Sequence, residues 1–351
     1  MSNQPDPVHR RRRTARRVFA IAAIIYAAVL GSYLLLRILA ALGLPVSDAD
    51  PNLLGMWSAV CSSLMPAVLV PALPLVIVAA LLRLPWVALA LAPIGLAFLV
   101  LYGDLLLPPS PSATTNDTAE IVVFTHNLHV MTEGLDAVAE GIRASGADVV
   151  ALQELSAPAA EFLGAALADL YPYQELQPSG VTTYGGGILS RWPLSDVQAW
   201  ETTMLQLRAT VERPEGAFAF YSLHPPPPHW FLRPFDASAR GTALDEALRR
   251  AGTETLPVVM AGDFNLTDQT TDYREITGSG FQDSFRAAGW GLGLTFADFG
   301  DIFRPLSLLP PFIRIDYVFA DPAFVPVEAT VGAAAGSDHY AVRAVLVPAT
   351  P

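Results

Sequence analysis

The sequence predicts an α/β domain that follows a bundle of three transmembrane helices. Of 351 residues, 52% are hydrophobic and only 15% are charged, which is too apolar for an ordinary soluble protein. This apolar excess is concentrated in roughly the first third of the chain, which is therefore expected to differ in structure from the rest. From Glu120 onward, short β-branched and aromatic runs alternate with stretches of helical periodicity, which is the pattern of an α/β fold.

The apolar third predicts three membrane spans, because about 20 apolar residues cross a bilayer. The spans are expected at roughly 18–40, 55–80 and 85–107. Six arginines lie between Arg10 and Arg17, so residues 1–17 are expected to form a basic cytoplasmic tail. Three crossings then place everything after Leu107 outside the cytoplasm. A signal peptide followed by a buried helical hairpin is the alternative.

The remainder of the chain divides into a linker and an acidic domain. Residues 108–118 are rich in Pro, Ser and Thr, which is typical of a short tether, and residues 119–351 are expected to form a catalytic domain. From Thr118 onward the chain carries 13 Arg and 28 Asp plus Glu. This acidity disfavours nucleic acid as a partner, although a bound cation could offset it locally. The single cysteine, Cys61, rules out an internal disulfide and a cysteine-based metal site.

Strand and helix signals follow one another along the acidic domain. Helical spacing of apolar residues predicts helices over residues 134–147 and 235–252. Short apolar runs predict strands over residues 121–128, 148–155, 185–194, 209–213, 217–224, 257–265, 313–320 and 339–347.

Polar residues that bind cations or move protons lie at or near the ends of these strands. They are Asn127, Glu154, His224, Asp263, Asn265, Asp316, Asp338 and His339. Because residues i and i+2 of an extended segment face the same way, Asp263 and Asn265 are expected to reach one volume, as are Asn127 and His129. Oxygen donors suit Mg²⁺ or Mn²⁺, whereas a set poor in His and lacking Cys disfavours structural zinc.

Seven motifs occur in order along the domain: FTHN, LQE, GGGILSRWP, SLH, GDFN, RIDYVF and GSDH. In this order they resemble the endonuclease/exonuclease/phosphatase superfamily over about residues 119–348. The resemblance implies a four-layer sandwich of two packed mixed β-sheets flanked by helices. It also implies a metal-dependent phosphoric ester hydrolase.

The resemblance further implies a role for each candidate residue. Glu154 would be the principal metal ligand, with Asn127 and Asp338 assisting it. His339 would be the general base that activates water, and Asp316 would orient it. His224 would contact the phosphoryl oxygens or the leaving group, while Asp263 and Asn265 would align the nucleophile and bind phosphate oxygens.

The substrate is expected to be a lipid headgroup or a small phosphodiester. The apolar segments 225–235 and 301–313 flank predicted site residues, so they could rim the site and enter the membrane interface. They could equally pack on each other or on the membrane spans. An extracytoplasmic nuclease and a catalytically inactive, membrane-anchored binding module are the alternative functions. No obligate protein partner is evident.

Overall fold

A computed structural model describes most of the chain. It describes residues 7–44, 52–109, 120–131, 133–180, 182–228, 235–296 and 310–349. The linker expected at 108–118 and both apolar segments, including Trp230 and Phe231, lie largely outside these residues. The chain divides into two compact units, Met1–Asp104 and Leu105–Pro351.

The N-terminal unit is helical. Its helices are α1 (Pro7–Ala41), α2 (Leu53–Ser63), α3 (Ala72–Leu81) and α4 (Pro85–Tyr102), and a 3₁₀ turn follows at Asp104–Leu106. In the described part of the chain, Arg10–Ala41 and Pro85–Tyr102 are long and apolar enough to cross a membrane. The first of these continues back through the arginine-rich tail, because Arg is a good helix former and Pro7 suits the first helical position.

The span expected over residues 55–80 does not form one continuous helix. That region forms two helices, α2 of 11 residues and α3 of 10 residues, separated by a turn segment. Pro66 and Pro71 lie between the helices, and each lacks the backbone N–H that a continuous helix needs.

Among the residues that the structure describes, the second unit contains two mixed β-sheets of six strands each. The first has the order β11-β12-β1-β2-β4-β3, and the second has the order β5-β6-β7-β8-β10-β9. The strands are β1 (Ile121–Asn127), β2 (Val149–Gln153), β3 (Tyr173–Gln177), β4 (Gly186–Ser190), β5 (Leu194–Glu201), β6 (Leu205–Val211), β7 (Phe218–Leu223), β8 (Val258–Asp263), β9 (Gln282–Asp283), β10 (Asp316–Ala320), β11 (Phe324–Val331) and β12 (Val342–Pro348). The helices are α5 (Leu135–Ser145), α6 (Ala157–Ala166), α7 (Ser238–Ala251), α8 (Thr271–Gly278) and α9 (Ser284–Ala288).

Alternating side chains of the strands build the layers. In β1, Val123 enters the core between the sheets, while Phe124 packs with α5 and α6 on the outer face. In β8, Val259 faces the other sheet, while Met260 packs beneath α7 and α8. Because both faces of each sheet are covered, these strands are apolar on both sides. The predicted four-layer sandwich is confirmed.

Candidate active site

The ends of strands from both sheets meet at one end of the sandwich. Strands β1 and β2 are parallel, with Asn127 opposite Gln153, and β7 and β8 are also parallel. Carboxyl ends of parallel strands are a common place for a site. The side-chain nitrogen of Asn127 donates to Oε1 of Glu154 at 3.2 Å and to Oδ2 of Asp263 at 2.9 Å. Asn127 therefore joins a carboxylate from each sheet.

Glu154 follows β2 directly and has a left-handed backbone, with φ of 53°. Such a conformation costs a non-glycine residue about 1–2 kcal/mol and is concentrated at functional sites. Burial raises the pKa of its carboxyl group above the ordinary value, and Asn127 offsets this in part. The backbone turn thus directs a partly desolvated carboxylate toward Asn127.

Asp263 and Asp316 are brought together by antiparallel pairing, since they are register partners in β8 and β10. Nδ1 of His339 lies 3.0 Å from Oδ2 and 3.1 Å from Oδ1 of Asp316. Nε2 of the same imidazole lies 3.7 Å from Oδ2 of Asp263. Asp316 therefore fixes the ring so that Nε2 faces the second carboxylate.

The charges of this cluster are strongly coupled. Burial lowers the pKa of His339, but the carboxylates of Asp316 and Asp263 override that effect and raise it to about 10. Burial raises the pKa of Asp263 to about 8, with Asp316 adding to the effect. The two carboxylates beside the imidazole favour its protonated form. The cluster can therefore hold a proton between an imidazole and a carboxylate.

His224 follows β7 and completes the group. Its Nε2 lies 3.5 Å from Oδ2 of Asp263 and 3.8 Å from Oε1 of Glu154. Burial, reinforced by the charge of His339, lowers the pKa of His224 to about 3. His224 is therefore a neutral imidazole at neutral pH, suited to donate or accept one hydrogen bond.

The structure corrects the expected geometry of Asn265. Strand β8 ends at Asp263, and Asn265 has φ of 53°, so the extended i, i+2 relation is wrong for this pair. Instead the backbone N–H of Asn265 donates to Oδ1 of Asp263 at 2.8 Å, which is an Asx-turn. Its side-chain nitrogen donates to the carbonyl of Pro225 at 3.0 Å. Asn265 therefore ties the loop after His224 to the end of β8.

The extended relation is also wrong for Asn127 and His129. Strand β1 ends at Asn127, and His129 has φ of 48°. Nδ1 of His129 lies 2.7 Å from Oδ1 of Asp338, and this contact raises the pKa of His129. The same contact offsets the effect of burial and lowers the pKa of Asp338. Asp338 therefore faces His129 at the rim of the cluster.

Four residues outside the sequence prediction hold the cluster in place. The buried amide of Gln206 accepts from the N–H of His224 and donates to its carbonyl, both at 2.8 Å. Ser337 Oγ donates to the carbonyl of Asn127 at 2.8 Å and accepts from the N–H of His339 at 3.0 Å. Thr295 Oγ1 accepts from the N–H of Asp316 at 3.3 Å, and the ring of Phe296 lies 4.8 Å from that of His339.

Only one of these residues could have been found from the sequence. Ser337 lies within the GSDH motif, so its position beside His339 was visible. Gln206 is 18 residues from His224, and no local pattern marks it. The same holds for Thr295 and Phe296, whose contacts are made only after folding.

The donor set fits a hard divalent cation. The half-buried carboxylate of Glu154 and the buried carboxylate of Asp263, both with raised pKa values, face one small volume, and a cation would offset their negative charge. The amide nitrogen of Asn127 faces these carboxylates, while its oxygen accepts from the N–H of His129 at 2.9 Å. A ligand role for Asn127 would require its amide oxygen to turn inward.

A second group of candidate ligands lies beside the first. Ligand atoms of Asp263, Asp316 and His339 lie within 4.8 Å of one another, and all three residues are buried. Both oxygens of Asp316 contact Nδ1 of His339, so these two groups already satisfy each other. The oxygen-rich side formed by Glu154 and Asp263 is therefore better suited to a cation.

Carboxylates and imidazoles gathered at the end of a two-sheet sandwich are the arrangement expected of a hydrolase. The sequence matches the Endonuclease/Exonuclease/phosphatase family over residues 124–339, which is more than half of the chain. The chain belongs to this family, whose members are hydrolases that act on phosphoesters. No curated protein matched the chain.

Solved structures of this family resemble the chain. An endonuclease/exonuclease/phosphatase from Beutenbergia cavernae is 22% identical with a TM-score of 0.53, covering 66% of this chain and 72% of that one. One from Bacteroides vulgatus is 20% identical with a TM-score of 0.51, covering 66% and 99%. A humanized D. rerio TDP2 is 19% identical with a TM-score of 0.50, covering 65% and 99%. At these identities the likeness establishes the fold.

Proposed function

We propose that the chain is a membrane-anchored, divalent-metal-dependent phosphoesterase. It hydrolyses a phosphodiester, either a lipid headgroup or a small molecule, through attack by an activated water. The observation that carries the proposal is the meeting of Glu154 and Asp263 with the Asp316–His339 couple. Residues from both sheets supply this group, and the raised pKa values of Glu154, Asp263 and His339 are typical of functional sites.

Each residue has a distinct task in the proposed reaction. Asp316 holds Nδ1 of His339, so Nε2 is the atom that takes a proton from water. The neutral imidazole of His224 donates a hydrogen bond to a phosphoryl oxygen or to the leaving group. Asp263 aligns the water, while the Asx-turn at Asn265 presents backbone and amide groups beside the phosphate.

Mg²⁺ or Mn²⁺ is the proposed cofactor, held by Glu154 beside Asp263. Asn127 and Asp338 would assist as ligands once their oxygens turn from His129 toward the ion. When bound, such an ion would neutralise charge on the phosphoryl oxygens and lower the pKa of His339 toward neutrality. The protein itself contributes by orienting the imidazole of His339 and burying the reacting groups.

Membrane anchoring is the second part of the proposal. It is supported by two helices with the length and composition of membrane spans and by the arginine-rich start of α1. If α2 and α3 together supply a third crossing between these two helices, the positive-inside rule places the N-terminus in the cytoplasm and the acidic domain outside it. A membrane-tethered phosphodiesterase has lipid headgroups within reach, which favours them as substrates.

A substrate panel tests the proposed activity. The full-length chain in detergent is assayed against bis(p-nitrophenyl) phosphate, phospholipid vesicles, inositol phosphates and DNA, with Mg²⁺ or Mn²⁺ and with chelator. Chelator-sensitive hydrolysis of a lipid or small phosphodiester is expected. Salt-sensitive cleavage of DNA alone would instead favour the nuclease, an activity that the family name includes. Hydrolysis of none of these would favour an inactive binding module.

A further inference from the structure

An apolar groove lies on the N-terminal unit between α3 and α4. It is an open groove of about 490 Å³ and is lined mainly by small or aliphatic side chains, with Arg83 as its charged lining residue. Val76 and Ala80 come from α3, whereas Ala88 and Ala92 come from α4. The alanines leave room that larger side chains would fill, so the groove has the width and polarity to take a hydrocarbon chain.

Arg83 occupies a backbone position that normally belongs to glycine. The N–H of Leu84 donates to the carbonyl of Ala79 at 2.8 Å, and the N–H of Arg83 donates to the carbonyl of Ala80 at 2.9 Å. This is the Schellman arrangement at the end of α3, and Arg83 has φ of 56° in it. A non-glycine residue there is strained, which points to a use for the guanidinium.

The same end of the unit is strongly cationic. Nη2 of Arg16 donates to the backbone carbonyl of Arg83 at 2.9 Å, which brings the arginine-rich start of α1 beside the α3–α4 turn. Across residues 7–44 and 52–103, which the structure describes, the sequence contains no Asp or Glu. Within these two described ranges no acidic side chain complements the arginines at this end, and an anion from outside would do so.

Trp86 lies in the first turn of α4, and 79% of its surface is exposed. Exposed tryptophan near the end of an apolar helix is typical of the level where lipid headgroups lie. Arg83 and Trp86 therefore mark one end of the groove as its headgroup end, and the apolar walls extend from there along α3 and α4.

We propose that this groove binds one anionic phospholipid of the surrounding bilayer. An acyl chain lies along the groove, and the phosphate contacts the guanidinium of Arg83 with support from the arginines at the start of α1. The inference rests on the proposed membrane anchoring, but it is independent of hydrolysis. It assigns to the N-terminal unit a lipid site separate from the candidate active site.

Native mass spectrometry of the full-length chain in detergent tests the proposal. The protein is titrated with phosphatidylglycerol or phosphatidylcholine, and retained lipid is counted. The wild type is expected to retain phosphatidylglycerol preferentially. Arg83→Gly removes the guanidinium and also relieves the backbone strain, so folding is preserved. This variant is expected to reduce the preference about fivefold, which is the effect of one basic residue near a membrane surface.

A matched pair of alanine substitutions tests the groove itself. Ala92→Leu fills the groove and is expected to reduce retention of phosphatidylglycerol, whereas Ala28→Leu, at an exposed position on α1, should leave it unchanged. Equal retention of the two lipids by the wild type would overturn the proposal. So would an unchanged preference in Arg83→Gly, equal behaviour of the two leucine variants, or displacement of bound lipid by inorganic phosphate. Because hydrolysis is not measured, failure here leaves the proposed activity to its own test.

Discussion

At the scale of single residues, the site depends on hydrogen bonds that hold the catalytic side chains in one orientation. Asp316 fixes one nitrogen of His339, and Gln206 satisfies both backbone groups of His224. Pro225 follows His224 and favours an extended backbone for it. Buried polar groups that are fully satisfied specify one arrangement, whereas partly satisfied ones are costly.

The first prediction concerns Asp316→Asn. Without the carboxylate of Asp316, His339 loses the largest interaction that raises its pKa, so the pKa should fall from about 10. Hydrolysis should fall by roughly 10²–10⁴-fold because the base is no longer oriented. NMR titration of the histidines in the presence of chelator measures the pKa. His129 provides an internal control, since its contact is with Asp338. An unchanged His339 titration would contradict the assigned couple.

The second prediction concerns Gln206→Leu, which leaves the N–H and the carbonyl of His224 without their partner. Each buried group left unsatisfied costs about 1–3 kcal/mol, so the variant should unfold at lower temperature. Activity of the folded fraction should fall through kcat, because His224 loses its fixed position. Gln198→Leu, at an exposed position on β5, is the control and should change neither quantity strongly. Normal kcat in Gln206→Leu would mean that His224 needs no such support.

At the scale of elements, close approach of strands and buried ion pairs determine where the site residues lie. Gly262 has φ of 154°, and a Cβ atom there would lie 1.9 Å from the carbonyl oxygen of Leu223. Asp283 and Arg314 form a buried pair with N–O distances of 2.9 and 2.7 Å. This pair anchors Arg314, which lies two residues before Asp316 in the chain.

The third prediction is that Gly262→Ala destabilises the domain by roughly 2–4 kcal/mol, because β7 and β8 must separate to admit the methyl group. Gly278→Ala is the matched control. It lies at the end of α8, and a Cβ atom there meets nothing within 4 Å. That variant should be neutral or slightly stabilising. Chemical denaturation measures both, and equal stabilities would contradict the close approach of the two strands.

The fourth prediction concerns acid unfolding. Burial alone would raise the pKa of Asp283, but Arg314 overrides it and holds the pKa below the ordinary value. The stability contributed by this carboxylate is therefore present above the unfolded pKa, about 3.9, and is lost as pH falls through the folded pKa. Asp283→Asn should lower the free energy of unfolding by about 3–5 kcal/mol at pH 7. It should also make that free energy depend less steeply on pH in the acid range. Thermal unfolding from pH 7 to pH 3 checks this, with exposed Asp245→Asn as the control. If the stability of Asp283→Asn falls with pH as steeply as that of the wild type, the prediction is refuted.

The sequence predicted strands and their ends better than the turns that follow them. Strands such as β1 and β8 are apolar on both faces and end at polar residues, so their positions could be read directly. The left-handed turns at Glu154 and Asn265 could not, because only folded contacts stabilise that backbone in residues other than glycine. For this reason the direction of Asn265 was predicted wrongly, although its position was right.

At the scale of the whole molecule, an acidic domain is joined to a helical unit in which every Asp, Glu, Lys or Arg over residues 7–44 and 52–103 is an arginine. Composition separated these two parts, but it could not show that prolines divide the second predicted span into α2 and α3. Apolar residues fit a single long helix and two shorter ones equally well. The contacts of Gln206 and Thr295 were equally inaccessible, because long-range contacts leave no local signal.

The fifth prediction tests the central claim that residues from both sheets form one metal-dependent hydrolytic site. Mn²⁺ binding by the full-length chain is measured by calorimetry, and hydrolysis of bis(p-nitrophenyl) phosphate is measured in the same samples. Glu154→Gln should lose Mn²⁺ binding and at least about 10²-fold in rate, because it removes a carboxylate charge from the site. Glu140→Gln, at an exposed position on α5, should match the wild type in both. Equal Mn²⁺ affinity and equal chelator-sensitive activity in the two variants would contradict the claim.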